Sequence, residues 1–153
     1  MRVISFYKLH SSETLPRTVA AVCAKIIDQA EKCLIICEND ERCAELDSKL
    51  WTFGSNDFLP HAMVGDAKFK EFADAVPVIL SDKFIDGFQN VILLCKPVVM
   101  NEVPDSVKLF YVFDGTNGEY ADLARSTFKH FKGDATITLK IYTQQSDLSW
   151  QQQ

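Results

Sequence analysis

An α/β fold with a mostly parallel central sheet is what this sequence predicts. Three observations carry that reading. CLIIC (33–37), PVILS (77–81) and VILLC (91–95) are short, continuous apolar runs, the pattern of strands buried on both faces of a parallel sheet. Stretches with apolar residues at helical spacing separate several of the strand runs, and that alternation implies right-handed βαβ units. The length of 153 residues suits one domain with a real core. We read residues 1–153 as a single three-layer α/β domain.

The elements follow in order. Val3, Ile4, Phe6, Tyr7 and Leu9 form a β-prone run, the first strand. A polar HSSET loop comes next. Val19, Val22, Cys23, Ile26, Ile27 and Ala30 then recur on one helical face, with Pro16 where a first-turn proline is tolerated. After the second strand, END (38–40) supplies cap residues for a helix that buries Cys43, Leu46, Leu50 and Trp51. Residues 52–66 read as irregular, broken by Gly54, Pro60 and Gly65. VKLFYVF (107–113) is a strong strand, DGTNG (114–118) a turn cluster, and 119–132 a third helix that Gly133 stops. Residues 134–142 complete the sheet. The Gln-rich tail, 143–153, is expected to fray.

Composition excludes several functions. Sixteen Lys and Arg against 21 Asp and Glu give a formal charge of −5, which argues against tight, direct binding to DNA, since that mode needs many cations on phosphates. No apolar stretch approaches the ~20 residues of a membrane span. The N-terminus lacks the apolar core of a signal peptide. Five cysteines without a Cys-x-x-Cys pair suit free thiols in a reducing cytoplasm.

No catalytic or cofactor motif is present. The first strand-to-helix connection has no glycine, so backbone amides cannot approach a phosphate as they do in dinucleotide and P-loop motifs. The expected fold therefore lacks a phosphate-binding loop, and no cofactor is expected. His10, His61 and His130 are scattered and form no metal-ligand spacing. Cys33 and Cys37 share one sheet face and read as small apolar core residues. A Cys43–His61 pair stays open as a catalytic alternative with no motif behind it. No Gly-x-Ser-x-Gly elbow occurs. A binding module fits better than an enzyme.

Two recognition surfaces remain. Trp51 ends a helix, and Phe53, Phe58 and Pro60 follow in the adjoining loop. Aromatic residues placed so are candidate interface anchors, or they plug the domain's own core. The last helix, EYADLARSTFKHFK, places Tyr120, Leu123, Ala124, Thr127 and Phe131 toward the sheet. Arg125, Lys129 and Lys132 follow an i, i+4, i+7 pattern on another face, and Phe128 lies between the stripes. A basic strip beside an exposed aromatic suits an acidic peptide. An ordinary solvated helix face has the same pattern.

Residues 33–61, CLIICENDERCAELDSKLWTFGSNDFLPH, resemble the chi subunit of bacterial DNA polymerase III. The features are a strand, an acidic turn, a Leu-Asp-x-x-Leu-Trp helix end and a Phe-Leu-Pro-His loop. The opening Phe6-Tyr7 strand, PVILS with FQNVILLC, and LARSTFKHFK extend the resemblance over most of the chain. It is weak for 65–75 and for the last ten residues.

The resemblance implies a Rossmann-like sandwich without the nucleotide loop, and a non-catalytic accessory subunit of the clamp-loader assembly. Such a protein would be classed with DNA-directed DNA polymerase, a nucleotidyltransferase. The implied partners are the psi subunit and the acidic C-terminal tail of single-stranded DNA-binding protein. Trp51, Phe53, Phe58 and Pro60 match the psi-binding surface. Arg125, Phe128, Lys129 and Lys132 match the tail-binding helix. Gly54 stands where the family often has proline, and DGTNG is longer than the family's usual link into the last helix. The alternatives are a small α/β enzyme, a nucleotide-binding protein, or an interaction domain for a repair helicase.

Overall fold

The computed structural model describes residues 2–52, 61–63, 76–94 and 97–152. Among them the strands are β1 (Arg2–Leu9), β2 (Cys33–Ile36), β3 (His61–Met63), β4 (Val78–Ser81), β5 (Asn90–Leu93), β6 (Lys108–Asp114), β7 (Ile137–Gln144) and β8 (Trp150–Gln152). The helices are α1 (Leu15–Asp28), α2 (Asp40–Thr52) and α3 (Gly118–Phe131). Short 3-10 turns occupy Ser12–Thr14 and Pro97–Glu102.

The described strands form one sheet in the order β3-β4-β2-β5-β6-β1-β7-β8. Every neighbouring pair is parallel except β7 and β8. All four residues of β2, of β4 and of β5 are buried, as their continuous apolar sequences require of strands covered on both sides. Alternation along each strand divides the core in two. Ile4, Phe6, Leu34, Ile36 and Tyr111 face the layer that contains α3 and Met100. Leu9, Cys33, Ile35, Cys37, Leu80 and Ile92 face α1 and α2. The result is a Rossmann-like three-layer α/β arrangement.

Local chemistry sets the element ends. Pro16 lies in the first turn of α1. Asn39 caps α2, accepting the Arg42 N–H at 2.8 Å. Asn117 caps α3, accepting the Tyr120 N–H at 3.2 Å. Gly133 stands just beyond α3 with φ +93, the left-handed geometry that favours glycine after a helix. Gly115 serves close approach instead. A Cβ there would lie 2.7 Å from Lys8 side-chain atoms and 2.9 Å from the Leu9 carbonyl oxygen.

Three expectations need correction. Ala30 is not on the buried face of α1. It follows the helix, exposed, with φ 58. The segment 52–66 is not wholly irregular, since β3 pairs with β4 through His61↔Val78. The tail does not fray through 143–153. β7 continues to Gln144 and β8 returns antiparallel to it, with Gln144 opposite Trp150. Asp147 Oδ1 closes the connecting turn by accepting the Ser149 N–H at 3.0 Å and the Ser149 hydroxyl at 2.6 Å.

Candidate functional site

Helix α3 is amphipathic around Ala124, which is buried against the sheet. Tyr120, Phe128 and Phe131 pack around it on the same core layer. Phe128 meets Phe6 edge-on, with ring centroids 5.8 Å apart and planes at 75°. The expected position of Phe128 as an exposed boundary residue is therefore corrected: its ring is partly buried and anchors the helix. At about 100° per residue, Phe128 lies about 40° round the helix from Ala124 toward Arg125 and Lys129, so it can anchor the helix and border those cations.

Arg125, Lys129 and Lys132 are all exposed. Lys129 lies in the last turn of α3, where the partial negative charge at a helix C-terminus favours a cation; Arg125 stands mid-helix, and Lys132 follows the helix end. Arg125 Nη1 lies 3.2 Å from Asp122 Oδ1. Both side chains are mostly solvated, so that pair contributes little to stability and leaves the guanidinium accessible. The sequence reading put all three cations on one helix; Arg125 and Lys129 lie within α3, and Lys132 is the extended residue just after it.

The other surface is only partly within view. Trp51 lies in the last turn of α2, while Phe53, Phe58 and Pro60 lie outside the described residues. Cys43, Leu46 and Leu50 are buried beneath α2 as the spacing predicts.

A cavity of about 300 Å³ opens above the carboxyl ends of β2, β5 and β6, and none of its lining residues was singled out from the sequence as a site residue. Cys37, Glu38, Arg42, Asp114, Asn117 and Tyr120 are among its lining residues. The whole lining, Ser12 to Pro16, Cys37 to Lys49, Leu94 and Val112 to Tyr120, comes from four separate parts of the chain, so no local motif could announce it. Glu38 accepts a hydrogen bond from the Tyr120 hydroxyl at 3.2 Å, joining the β2–α2 connection to α3. Arg42 pairs with Glu45 at 3.2 Å. Open α/β sheets commonly bind ligands at such strand ends.

Of the alternative Cys43–His61 pair, the His61 side chain lies outside the described residues. His10 and His130 are exposed, and His130 stacks edge-on against Phe131 at 4.9 Å. No group of three His, Cys, Asp or Glu able to hold a metal occurs among the described residues. No helix among them is long and apolar enough to cross a membrane. Burial raises the Cys43 thiol above its ordinary pKa, which disfavours the thiolate that a Cys43 nucleophile would need.

Comparison with known families decides the identity. The family described as DNA polymerase III chi subunit, HolC, matches residues 1–138. The chain belongs to the chi family. Membership makes it an accessory subunit of DNA polymerase III. The chi match takes in β1 to β6 and α3, and ends just inside β7. The rest of β7 and all of β8 lie beyond it. A search of curated proteins returned no match.

Proposed function

We propose that this chi-family protein is a non-catalytic adaptor that links the clamp loader to single-stranded DNA-binding protein in the cytoplasm. The observation that carries this reading is the exposed cations Arg125 and Lys129 on α3, with Lys132 just beyond its end, in an otherwise acidic chain. An acidic C-terminal tail has the complementary charge. Phe128, held by Phe6, supplies an apolar edge beside these cations. The psi subunit is assigned to Trp51, Phe53, Phe58 and Pro60. Contact with DNA is then indirect, through a partner that already coats the strand.

The test is fluorescence anisotropy with a labelled tail peptide of single-stranded DNA-binding protein. Lys129→Glu reverses one charge on the strip and leaves the inward face of α3 untouched. Binding should weaken at least about tenfold, roughly 1.4 kcal/mol, and wild-type binding should weaken with added salt. Equal affinity for wild type and Lys129→Glu would make the strip an ordinary solvated helix face. Recovery of clamp-loader subunits from cell extract tests the other arm.

A further inference from the structure

The described cysteines fall into two pairs that neither partner surface uses. Cys33, at the start of β2, lies beside Cys23 on the inward face of α1. Both are fully buried, and neither lines the cavity. Cys37 follows β2, and Cys43 lies one turn into α2. The Cys43 sulfur is within hydrogen-bonding reach of the Cys37 side chain and backbone. Both pack in the same core layer, but Cys37 also lines the cavity above the strand ends. That space of about 300 Å³ holds on the order of ten waters at ~30 Å³ each, ample for a small peroxide.

We propose that Cys37 and Cys43 form an oxidisable thiol pair, converted by hydrogen peroxide to an intramolecular disulfide through the cavity. The Cys37 sulfur attacks one peroxide oxygen. The O–O bond breaks, Cys37 becomes a sulfenic acid, and the other oxygen leaves as water with the thiol proton. The Cys43 sulfur then attacks the Cys37 sulfur. The S–O bond breaks, and the hydroxyl leaves as a second water with the Cys43 proton. In sum, two thiols lose two electrons, and one hydrogen peroxide accepts them. A dithiol reductant reverses the bond. Cys43 takes the second role by position: it packs in the same core layer as Cys37, and its proton passes to the departing hydroxyl as its sulfur attacks. The Cys23–Cys33 pair has the same elements and no opening to the cavity, so it serves as an internal control.

The sequence makes the test direct. Cleavage after Lys32, Arg42 and Lys49 places Cys37 in CLIICENDER and Cys43 in CAELDSK. The full-length folded chain, with Cys95→Ser to remove the remaining thiol, is treated with hydrogen peroxide, alkylated, digested without reductant and analysed by mass spectrometry. The expected product is a CLIICENDER–CAELDSK cross-link, retained in Cys33→Ser and abolished in Cys37→Ser. The Cys23 peptide should stay unlinked. In Cys43→Ser, the sulfenic acid at Cys37 should persist and be trapped by dimedone. Circular dichroism establishes that each variant is folded. Absence of the cross-link in folded protein would overturn the assignment, whether or not a sulfenic acid is trapped at Cys37. A cross-link through Cys33 instead of Cys37 would overturn it equally.

Discussion

Phe128→Ala separates the two roles assigned to one ring. The ring packs on the sheet through Phe6 and is partly buried in the layer beneath α3. Truncating a fully buried Phe costs about 3–5 kcal/mol. Phe128 keeps some exposure, so the loss should fall near or below the bottom of that range, about 2–3 kcal/mol, with the edge-to-face pairing included. A chain of this size shifts its Tm by ~2–4 °C per kcal/mol, which predicts a drop of about 4–12 °C. Lys129→Glu, next along the same helix but exposed, should change the Tm little. Both variants should weaken binding of the acidic tail peptide. The assay is a thermal melt followed by circular dichroism, paired with peptide anisotropy below the lower Tm. An unchanged melt for Phe128→Ala would refute the anchoring role. A lowered melt with unchanged peptide affinity would refute its place at the strip's apolar edge.

Other outcomes follow from the same structure. Trp51→Ala should weaken capture of the psi subunit by at least ~2 kcal/mol, the usual size of an aromatic hot spot, while the melt stays near wild type. A large loss of stability would place Trp51 in the core instead. The purified chain should bind bare single-stranded DNA weakly at physiological salt, as a −5 charge implies; submicromolar, salt-sensitive binding to an oligonucleotide would refute indirect contact. Burial first, and then the neighbouring Tyr142, raise the Tyr7 pKa from 10.0 to about 12. The folded state therefore holds the Tyr7 proton more tightly than the unfolded chain does. The associated stability is fully present below pH 10 and is lost as pH rises toward 12. Denaturant midpoints across that window should fall less steeply in Tyr7→Phe than in wild type.

The interior strands were legible because each carries its evidence locally. CLII, VILS and NVIL are apolar or small at nearly every position, and every residue is buried. β3 was not legible. It has three residues, too few to show a period, and its partner β4 begins fifteen residues later, well beyond a local window. β8 was missed for a different reason. Trp150, Gln151 and Gln152 look like a polar tail, yet all three residues are exposed on an edge strand, where burial cannot shape the sequence. Phe128 is instructive in another way. Spacing located it correctly between two stripes, but only the facing Phe6 decides which stripe holds it. The cavity depends on strand ends and helix starts that meet only in three dimensions.

The two proposed surfaces also differ in how the fold supports them. α2 belongs to the layer with α1, and α3 belongs to the layer across the sheet. A helix facing a continuous sheet can present its outward side without altering the opposite layer, because the strands between them are buried and closely packed. Adaptors gain from such separation, since one partner need not displace the other. The point where the layers do meet is the carboxyl end of the sheet, where the Tyr120 hydroxyl of α3 donates to Glu38 just before α2. Cys37 precedes Glu38 in that same connection. A covalent change at Cys37 would thus act at the junction between the layers, not on either outward face.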